Sequence, residues 1–187
     1  MTKSLAAAMY EMTFAESDKT DAILVIDEKK LHVNQALLSY HSDYFKTLFA
    51  SNSGEKSSGI SQFKIDDVKF EDFATLLSLV QHNPLKFTES NSERLLELAV
   101  RFELPAAKRH VELFLITIKK DRNEAKDRNE KLRIADKYGL DDLLTNAILM
   151  FKVNIDFRNI RNLPEYKNFS DKTKVAIFHR LLDMIQY

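Results

Sequence analysis

The stretch DAILVIDEKKLHVNQALLSYHSDYFKTLF, residues 21–49, contains the pattern that decides the fold. Its first apolar run, Ile23 to Ile26, is continuous and rich in β-branched residues, as in a strand that is buried on both faces. A charged turn, Asp27 to Lys30, separates it from a second short apolar run, Leu31 to Val33. Together the two runs predict a β-hairpin.

Two short helices are predicted directly after the hairpin. Asn34 and Ser42 stand where each helix begins, and their side-chain oxygens can accept hydrogen bonds from the first backbone N–H groups. Phe45, Leu48 and Phe49 recur at helical spacing and are predicted to pack in the core. The stretch has no nucleophile motif, phosphate loop or metal spacing, which indicates a module that works through its surfaces.

The composition is that of an ordinary globular protein. The 187 residues are 44% hydrophobic and 30% charged, enough for one good core or for a domain with an appendage. Only three glycines and three prolines favour helices over a loop-rich β-sandwich. Lys and Arg total 28, as do Asp and Glu, so net charge gives no signal for nucleic acid or for a membrane surface.

The motifs of enzymes and metal sites are missing. The chain has no cysteine, and none of its five histidines forms an H-x-x-x-H pair. The segment GEKSSG, residues 54–59, departs from a phosphate loop because Glu55 separates Gly54 from Lys56. We therefore expect no enzyme, no cofactor and no metal. With no secretory segment and no apolar run of membrane length, cytoplasm or nucleus is the expected location.

The rest of the chain is predicted to be mainly helical. Ser51 to Ser61 is the most flexible segment by composition, and Phe63 to Ile65 alternates like a third strand. Ser90 and Glu93 predict a capping box, and Gly139 and Asp141 predict a helix end followed by a capped helix. Further helices are predicted at about 5–13, 70–80 and 105–118, after the Ser90 cap as far as about 102, and as a pair of helices at about 128–151. The last helix opens at Ser170-Asp171 and has an apolar face of Val175, Phe178, Leu181, Leu182 and Ile185.

Two internal similarities stand out. LLELAVRFEL, residues 95–104, matches KLRIADKYGL, residues 131–140, at an offset of 36, and each is followed by another apolar helix. Two helix–turn–helix copies are too few to define a solenoid, and coincidence between amphipathic helices stays open. KDRNE occurs at 120–124 and again at 126–130, and is predicted to be a solvated helix or linker at a domain boundary.

The quoted residues also resemble a known family. The order D-x-ILVI, LHVN and ALLSYHSDYFKTLF resembles the opening of a BTB (POZ) domain, in wording most similar to the roundworm MATH–BTB group. The resemblance continues from Ile65 to Leu115 and, more weakly, to Phe151. It implies an α/β (α+β) fold with a small three-stranded sheet flanked by helices. The implied regions are an N-terminal helix and linker at 1–19, the BTB domain at 20–119 and a helical 3-box or BACK-like extension at 120–187, with no MATH region before them.

The resemblance implies a protein–protein interaction function. The first hypothesis is a dimeric adaptor that links a substrate protein to the cullin-3 ubiquitin ligase scaffold. The alternative is an oligomerisation module without ligase activity that pairs with other BTB proteins. The expected partners are cullin-3, itself or another BTB chain, and an unknown substrate protein, with no nucleic acid and no membrane.

Residues for a dimer interface follow from the resemblance position by position. Asp21 matches the family's charged residue at the base of the dimer interface. Its usual basic companion falls on Gln35, and Asn34 stands at the position of a histidine, so the charged pocket of zinc-finger BTB proteins is incomplete here. The predicted dimer residues are Leu5, Met9, Tyr10, Asp21, Ile23 and Gln35.

Residues for a cullin contact follow in the same way. The hydrophobic–x–Glu motif of cullin-binding members aligns with Ser53-Gly54-Glu55, which keeps the glutamate but has serine at the apolar anchor. Losing a buried apolar anchor forgoes roughly 1.5–3 kcal/mol. The predicted cullin-binding residues are Phe49, Ser53, Glu55, Phe102, Leu104 and Pro105.

Overall fold

The computed structural model describes residues 5–51, 55–57, 60–118, 124–152, 160, 162 and 164–185. The chain divides into two compact units, residues 1–110 and 111–187. The first unit is mixed α/β, and the described part of the second is helical. The fold class predicted from the sequence is therefore confirmed, while the predicted domain boundaries at residues 20 and 120 stay predictions.

A four-stranded sheet forms the centre of the first unit. Its strands are β1 (Ala22–Ile26), β2 (Lys29–Val33), β3 (Glu55–Ser57) and β4 (Ile60–Lys64), in the order β2-β1-β4-β3. β1 pairs antiparallel with β2 and parallel with β4, so it is a central strand, and its residues are buried on both faces apart from the part-buried Val25. The predicted hairpin is present, and both of its turn residues have positive φ, Asp27 at 46° and Glu28 at 65°.

Strand β3 is the element that the sequence did not predict. It lies within the segment that composition marked as flexible, and it pairs antiparallel with β4, Glu55 opposite Gln62. The three strands of the expected sheet are the three longer ones, of five residues each. The three-residue β3 adds an edge to them, because serine-rich composition lowers β-propensity without preventing pairing to a neighbouring strand.

Helices cover this sheet. They are α1 (Leu5–Thr13), α2 (Gln35–His41), α3 (Asp43–Ala50), α4 (Phe70–Ser78) and α5 (Glu89–Arg101). The two predicted caps are confirmed, since Asn34 Oδ1 accepts from the Leu37 N–H at 2.7 Å and Ser42 Oγ accepts from the Phe45 N–H at 3.0 Å. The predicted capping box is wrong. The cap is Thr88 instead of Ser90, so α5 begins at Glu89, two residues earlier than a Ser90 cap implies, and the Thr88 N–H donates to Asn91 Oδ1 at 2.9 Å.

Three phenylalanines dominate the core of the first unit. Phe45, Phe73 and Phe102 are fully buried. Phe102 stacks on Phe45 with ring centroids 6.0 Å apart and meets Phe73 edge-on at 4.9 Å. Burying each ring contributes about 1.5–3 kcal/mol, so this cluster fixes where α3, α4 and the end of α5 meet.

The second unit is built from helical hairpins. Helix α6 (Pro105–Thr117) begins at Pro105 as predicted, in the first unit, and continues into the second. It is followed by α7 (Glu124–Tyr138), α8 (Asp141–Leu149), a short 3₁₀ helix (Pro164–Asn168) and α9 (Asp171–Ile185). Helix α8 packs on both α7 and α9. Gly139 has φ 60°, which confirms the predicted left-handed helix end.

Three predictions for the second unit are wrong, the first of them only in part. The second KDRNE copy is helical as predicted but only partly solvated, because Asp127 and Arg128 are each 2% exposed and the Arg128 guanidinium lies over the Phe151 ring at 4.3 Å. The first copy lies outside the described residues except for Glu124. Asp141 does not cap α8. Glu112 Oε1 does so instead, accepting from the Asp142 N–H at 2.9 Å and the Leu143 N–H at 3.1 Å.

The third concerns the last helix, α9. Of its predicted apolar face, Val175, Phe178, Leu182 and Ile185 are exposed. Thr173 and Ile177 are the residues of α9 that lie buried in the second unit.

Candidate protein-interaction surfaces

A groove opens beside α3 in the first unit. It has a volume of about 440 Å³. The Tyr44 ring meets the buried Phe102 ring edge-on at 5.0 Å, so one wall of the groove rests on the core. The groove is lined by Asp43, Tyr44, Thr47, Leu48, Ser51 and Glu103.

A buried serine holds the two sides of the groove together. Ser42 Oγ accepts from the Phe45 N–H at 3.0 Å and donates to the carbonyl oxygen of Phe102 at 2.7 Å. The next residue, Glu103, is left-handed at φ 50°, which turns the chain sharply before α6 begins at Pro105. Ser42 therefore ties the start of α3 to the turn that carries Glu103.

The chemistry of the groove is that of a binding surface. Tyr44 and Leu48 supply apolar area, and Asp43 and Glu103 supply two carboxylates. Among the described residues that line the groove there is no histidine, lysine or cysteine that could act as a base or a nucleophile beside a hydroxyl. Among the described residues, no three His, Asp or Glu side chains are grouped closely enough to hold a metal ion. The groove suits a peptide segment that brings apolar and basic side chains.

The predicted cullin-binding residues occupy different places around this groove. Phe102 and Leu104 are fully buried, and the part-buried Phe49 packs on Phe63 with ring centroids 5.1 Å apart. Pro105 is exposed at the start of α6. Glu55 is described only as a backbone position in β3, and Ser53 lies outside the described residues. A contact role for these six stays a prediction, and Phe102 and Leu104 can serve it only from beneath the surface.

Sequence reasoning missed most of the groove lining. Leu48 was assigned to the core by its helical spacing, yet it is only part-buried and lines the groove. Helical periodicity identifies the residues that share one face of α3. It does not show that a groove separates this face from the turn after α5. The amphipathic YFKTLF pattern was the available signal, because Tyr44 and Leu48 lie four residues apart and share a face.

The predicted dimer residues are also divided between surface and interior. Met9 is exposed, whereas Tyr10 packs within its own chain, edge-on to the Phe70 ring at 5.8 Å. Ile23 is 6% exposed in the central strand, and the side chain of Leu5 lies outside the described residues. Ile23 can therefore contribute to a dimer only through the core that it supports.

Asp21 and Gln35 form a polar pair of their own. Asp21 Oδ1 accepts from the backbone N–H of Gln35 at 2.8 Å, and Gln35 Nε2 donates to the carbonyl oxygen of Asp21 at 3.1 Å. The exposed Asp21 carboxylate thus accepts a hydrogen bond from the first residue of α2. Position 35 is a glutamine and supplies no positive charge to pair with it. Asn34 extends the link, since its Nδ2 donates to the carbonyl oxygen of Lys19 at 2.7 Å.

Two strongly exposed apolar side chains were not predicted. Met12 on α1 is 80% exposed and Tyr40 on α2 is 85% exposed. Each stands near a predicted dimer residue in sequence, Met12 after Met9 and Tyr40 after Gln35. Spacing alone does not distinguish such residues from core positions, which is why they were missed.

The carboxyl group in the surface ion pair between Lys29 and Glu71 has a shifted pKa. A hydrogen bond from its own backbone N–H, followed by one from Lys29 Nζ at 3.1 Å, holds the pKa of the Glu71 carboxyl below its ordinary value. Lys29 Nζ also lies 4.6 Å from the centre of the Phe70 ring. The pair thus links the hairpin turn to the first turn of α4.

Comparison with known families agrees with this fold and with a surface-based site. The BTB/POZ domain model matches residues 10–119, more than half of the chain. The fold and the groove define a protein-interaction domain. The chain belongs to the BTB/POZ domain family.

Several curated relatives are roundworm proteins. A BTB/POZ domain-containing protein of Caenorhabditis elegans is 31% identical over 98% of this chain and 56% of its own length. BTB and MATH domain-containing proteins 36 and 38 of the same organism are 29% and 32% identical over 89% and 94% of this chain. The chain spans about half the length of the curated relatives it matches.

Solved structures give a weaker likeness. The BTB domain of human gigaxonin matches 61% of this chain and 96% of its own, at 17% identity and a TM-score of 0.44. The BTB domain of zebrafish PATZ1 matches 62% and 97%, at 14% identity and a TM-score of 0.43. In the part of the chain that the structure describes, no helix has both the length and the apolar composition of a membrane span.

Proposed function

We propose that this chain is a dimerising adaptor that joins a substrate protein to a cullin-3 ubiquitin ligase scaffold. The observation that carries the proposal is the groove between α3 and the Glu103 turn. It lies beside the Phe102–Pro105 turn, where the resemblance places the cullin contact. Two of the curated relatives are BTB and MATH domain-containing proteins, which supports a place in the same functional group.

The groove is suited to a helical or extended segment of a scaffold protein. Leu48 and Tyr44 are part-buried and offer the rest of their surfaces to a partner, and the Tyr44 ring packs edge-on against the Phe45 and Phe102 rings. A few such apolar anchors carry most of the energy of an interface. This apolar area can replace the anchor that Ser53 does not provide, so cullin-3 binding is expected despite that departure.

The experiment is a calorimetric titration of the chain with the N-terminal region of cullin-3. We expect saturable binding, and we expect Leu48→Asp to weaken it at least about 10-fold by placing a desolvated charge in the groove. Lys46→Asp is the matched control, because Lys46 is exposed on the same helix and does not line the groove. Absence of binding by the folded chain at tens of micromolar contradicts the proposal.

The alternative function is oligomerisation without ligase activity. The exposed apolar side chains of Met9, Met12 and Tyr40 on α1 and α2 favour it independently of the groove. They would associate with another BTB chain that presents similar apolar residues at these positions. Either function is compatible with the predicted location in cytoplasm or nucleus.

Co-expression separates the two functions. A tagged copy of this chain and an untagged BTB relative are purified together, and the complex is then titrated with cullin-3. Mixed complexes without cullin binding select the alternative. Tyr40→Asp together with Met12→Asp should abolish the mixed complexes, while Val100→Asp, an exposed apolar residue on α5, should leave them intact.

A further inference from the structure

Helix α9 has a second apolar face that its own unit does not use. Val175, Phe178, Leu182 and Ile185 are exposed, and they follow one another at intervals of three, four and three residues. This is the spacing of a and d positions in a heptad, the pattern of a helix that packs along another helix. These four residues are called the α9 seam below.

The other side of α9 already has its partner. Thr173 and Ile177 are buried against the second unit, and Arg180 Nη2 donates to the carbonyl oxygen of Phe151 at 3.1 Å. In the same heptad these three residues take f and c positions, on the side away from a and d. The α9 seam is therefore a separate apolar face.

We propose that the α9 seam binds an amphipathic helix of another protein whose flanking positions carry carboxylates. The residues beside the seam, at its e and g positions, include no acid. They are Lys172, Lys174, His179 and Leu181.

The two lysines differ in how far their charge is compensated. Lys172 Nζ forms an ion pair with Asp141. Lys174 Nζ donates to a carbonyl oxygen, that of Lys167, at 3.1 Å, a contact that leaves its charge in place. A carboxylate on the partner helix opposite Lys174 would supply the opposite charge.

A second copy of α9 complements this seam less well. In a parallel pair, Lys174 of each copy would face His179 of the other, and in an antiparallel pair it would face Leu181. Neither arrangement brings a carboxylate from an e or g position to Lys174. A seam of four apolar residues is far smaller than the roughly 20–30 residues a side of a stable interface, whichever helix it binds, so the flanking charges decide between the two partners.

The test uses two designed three-heptad peptides with leucine and isoleucine at a and d. One has glutamate at every e and g position and the other has lysine. Fluorescence anisotropy with the full chain at low salt is expected to show the glutamate peptide binding about 10-fold more tightly. Lys174→Glu should reverse that order, and high salt should reduce the difference.

Two further variants distinguish binding at the α9 seam from nonspecific binding to exposed apolar side chains. Phe178→Asp should weaken the glutamate peptide at least about 10-fold, while Val100→Asp should not change it. The two residues are matched, being 55% and 54% exposed. Equal binding of the two peptides, or binding of neither, overturns the proposal. It is also overturned if sedimentation shows that Phe178→Asp, and not Val100→Asp, lowers the oligomeric state, because a second copy then occupies the seam.

This seam and the α3 groove share no residue. Failure of the peptides to bind would therefore leave the cullin-3 titration unaffected, and failure of that titration would leave the seam unaffected.

Discussion

The backbone N–H of Leu104 donates to the carbonyl oxygen of Ala99 at 2.8 Å and closes the end of α5. Glu103, the residue just before Leu104, has a left-handed backbone conformation with φ 50°. With Phe102 as the C-cap, this is the arrangement in which the second residue after the C-cap donates to a carbonyl of the last helical turn. It places a non-glycine residue in a conformation that favours glycine.

The same turn recurs 36 residues later. Leu140 donates to the carbonyl oxygen of Ala135 at 2.9 Å, and Gly139 takes the left-handed position at φ 60°. The similarity between residues 95–104 and 131–140 is thus a repeated helix end. The first copy sets the wall of the groove and the second starts α8.

We expect opposite effects from exchanging the two left-handed residues. Gly139→Ala should lower the free energy of unfolding by about 1 kcal/mol, because a Cβ is strained at positive φ although no atom lies within 4 Å of it. Glu103→Gly should raise it by about 0.5–1 kcal/mol by removing that strain. Urea denaturation measures both. Equal and small effects would show that the left-handed turn stores no strain.

The sequence predicted those parts of the fold that depend on neighbouring residues. The caps at Asn34 and Ser42, the start of α6 at Pro105 and the left-handed Gly139 all follow from local backbone chemistry. They were confirmed because each needs only the residues within one helical turn.

The predictions that failed depend on distant residues. Glu112 caps α8 from another helix, thirty residues away from Asp142, and so replaced the local candidate Asp141. The predictions for α9 and for Asp127 failed for the same reason. Periodicity shows which residues share a face of a helix, but it does not show which face packs against the core. The groove lining was missed for this reason too.

Removing the Glu112 cap should destabilise the second unit. Glu112→Ala leaves the N–H groups of Asp142 and Leu143 without this acceptor, and Leu143 is buried, so we expect a loss of about 1–3 kcal/mol. Thermal unfolding followed by circular dichroism measures the loss.

Asp141→Ala is the control for that prediction. Within the part of the chain that the structure describes, the Asp141 side chain forms an exposed ion pair with Lys172, which is worth at most about 0.5–1 kcal/mol. A loss for Asp141→Ala as large as that for Glu112→Ala would restore Asp141 as the cap.

The Lys29–Glu71 pair should give a small acid-dependent contribution to stability. The pKa of Glu71 is lower in the folded chain than its ordinary value, so the contribution is present at neutral pH and is lost as pH falls through the folded pKa. Both side chains are more than half exposed, and solvent screening limits the effect to about 0.5 kcal/mol. Urea denaturation of wild type and Glu71→Gln should therefore differ at pH 7 and converge near pH 3. A difference that grows on acidification contradicts this assignment.

Ser42 contributes to the stability of the first unit and also holds the turn that forms one side of the groove. Its hydroxyl accepts from Phe45 and donates to Phe102, and it is 3% exposed, so Ser42→Ala removes a helix cap and leaves a buried carbonyl without this donor. We expect a loss of about 2–3 kcal/mol, or a Tm lower by roughly 4–12 °C for a chain of this size.

Ser42→Ala should also weaken ligand binding at the groove. Because Phe102 precedes Glu103, release of its carbonyl lets the turn move relative to Tyr44, and ligand binding at the groove should weaken more than stability alone requires. Calorimetry with the cullin-3 N-terminal region, at a temperature where the variant remains fully folded, measures this. Ser51→Ala is the control. Ser51 lines the groove and donates to the Leu48 carbonyl at 2.7 Å, but it is exposed, so its loss should leave Tm nearly unchanged. If Ser42→Ala lowers Tm and leaves binding intact, the turn is held by the packing of Phe102 and not by the serine.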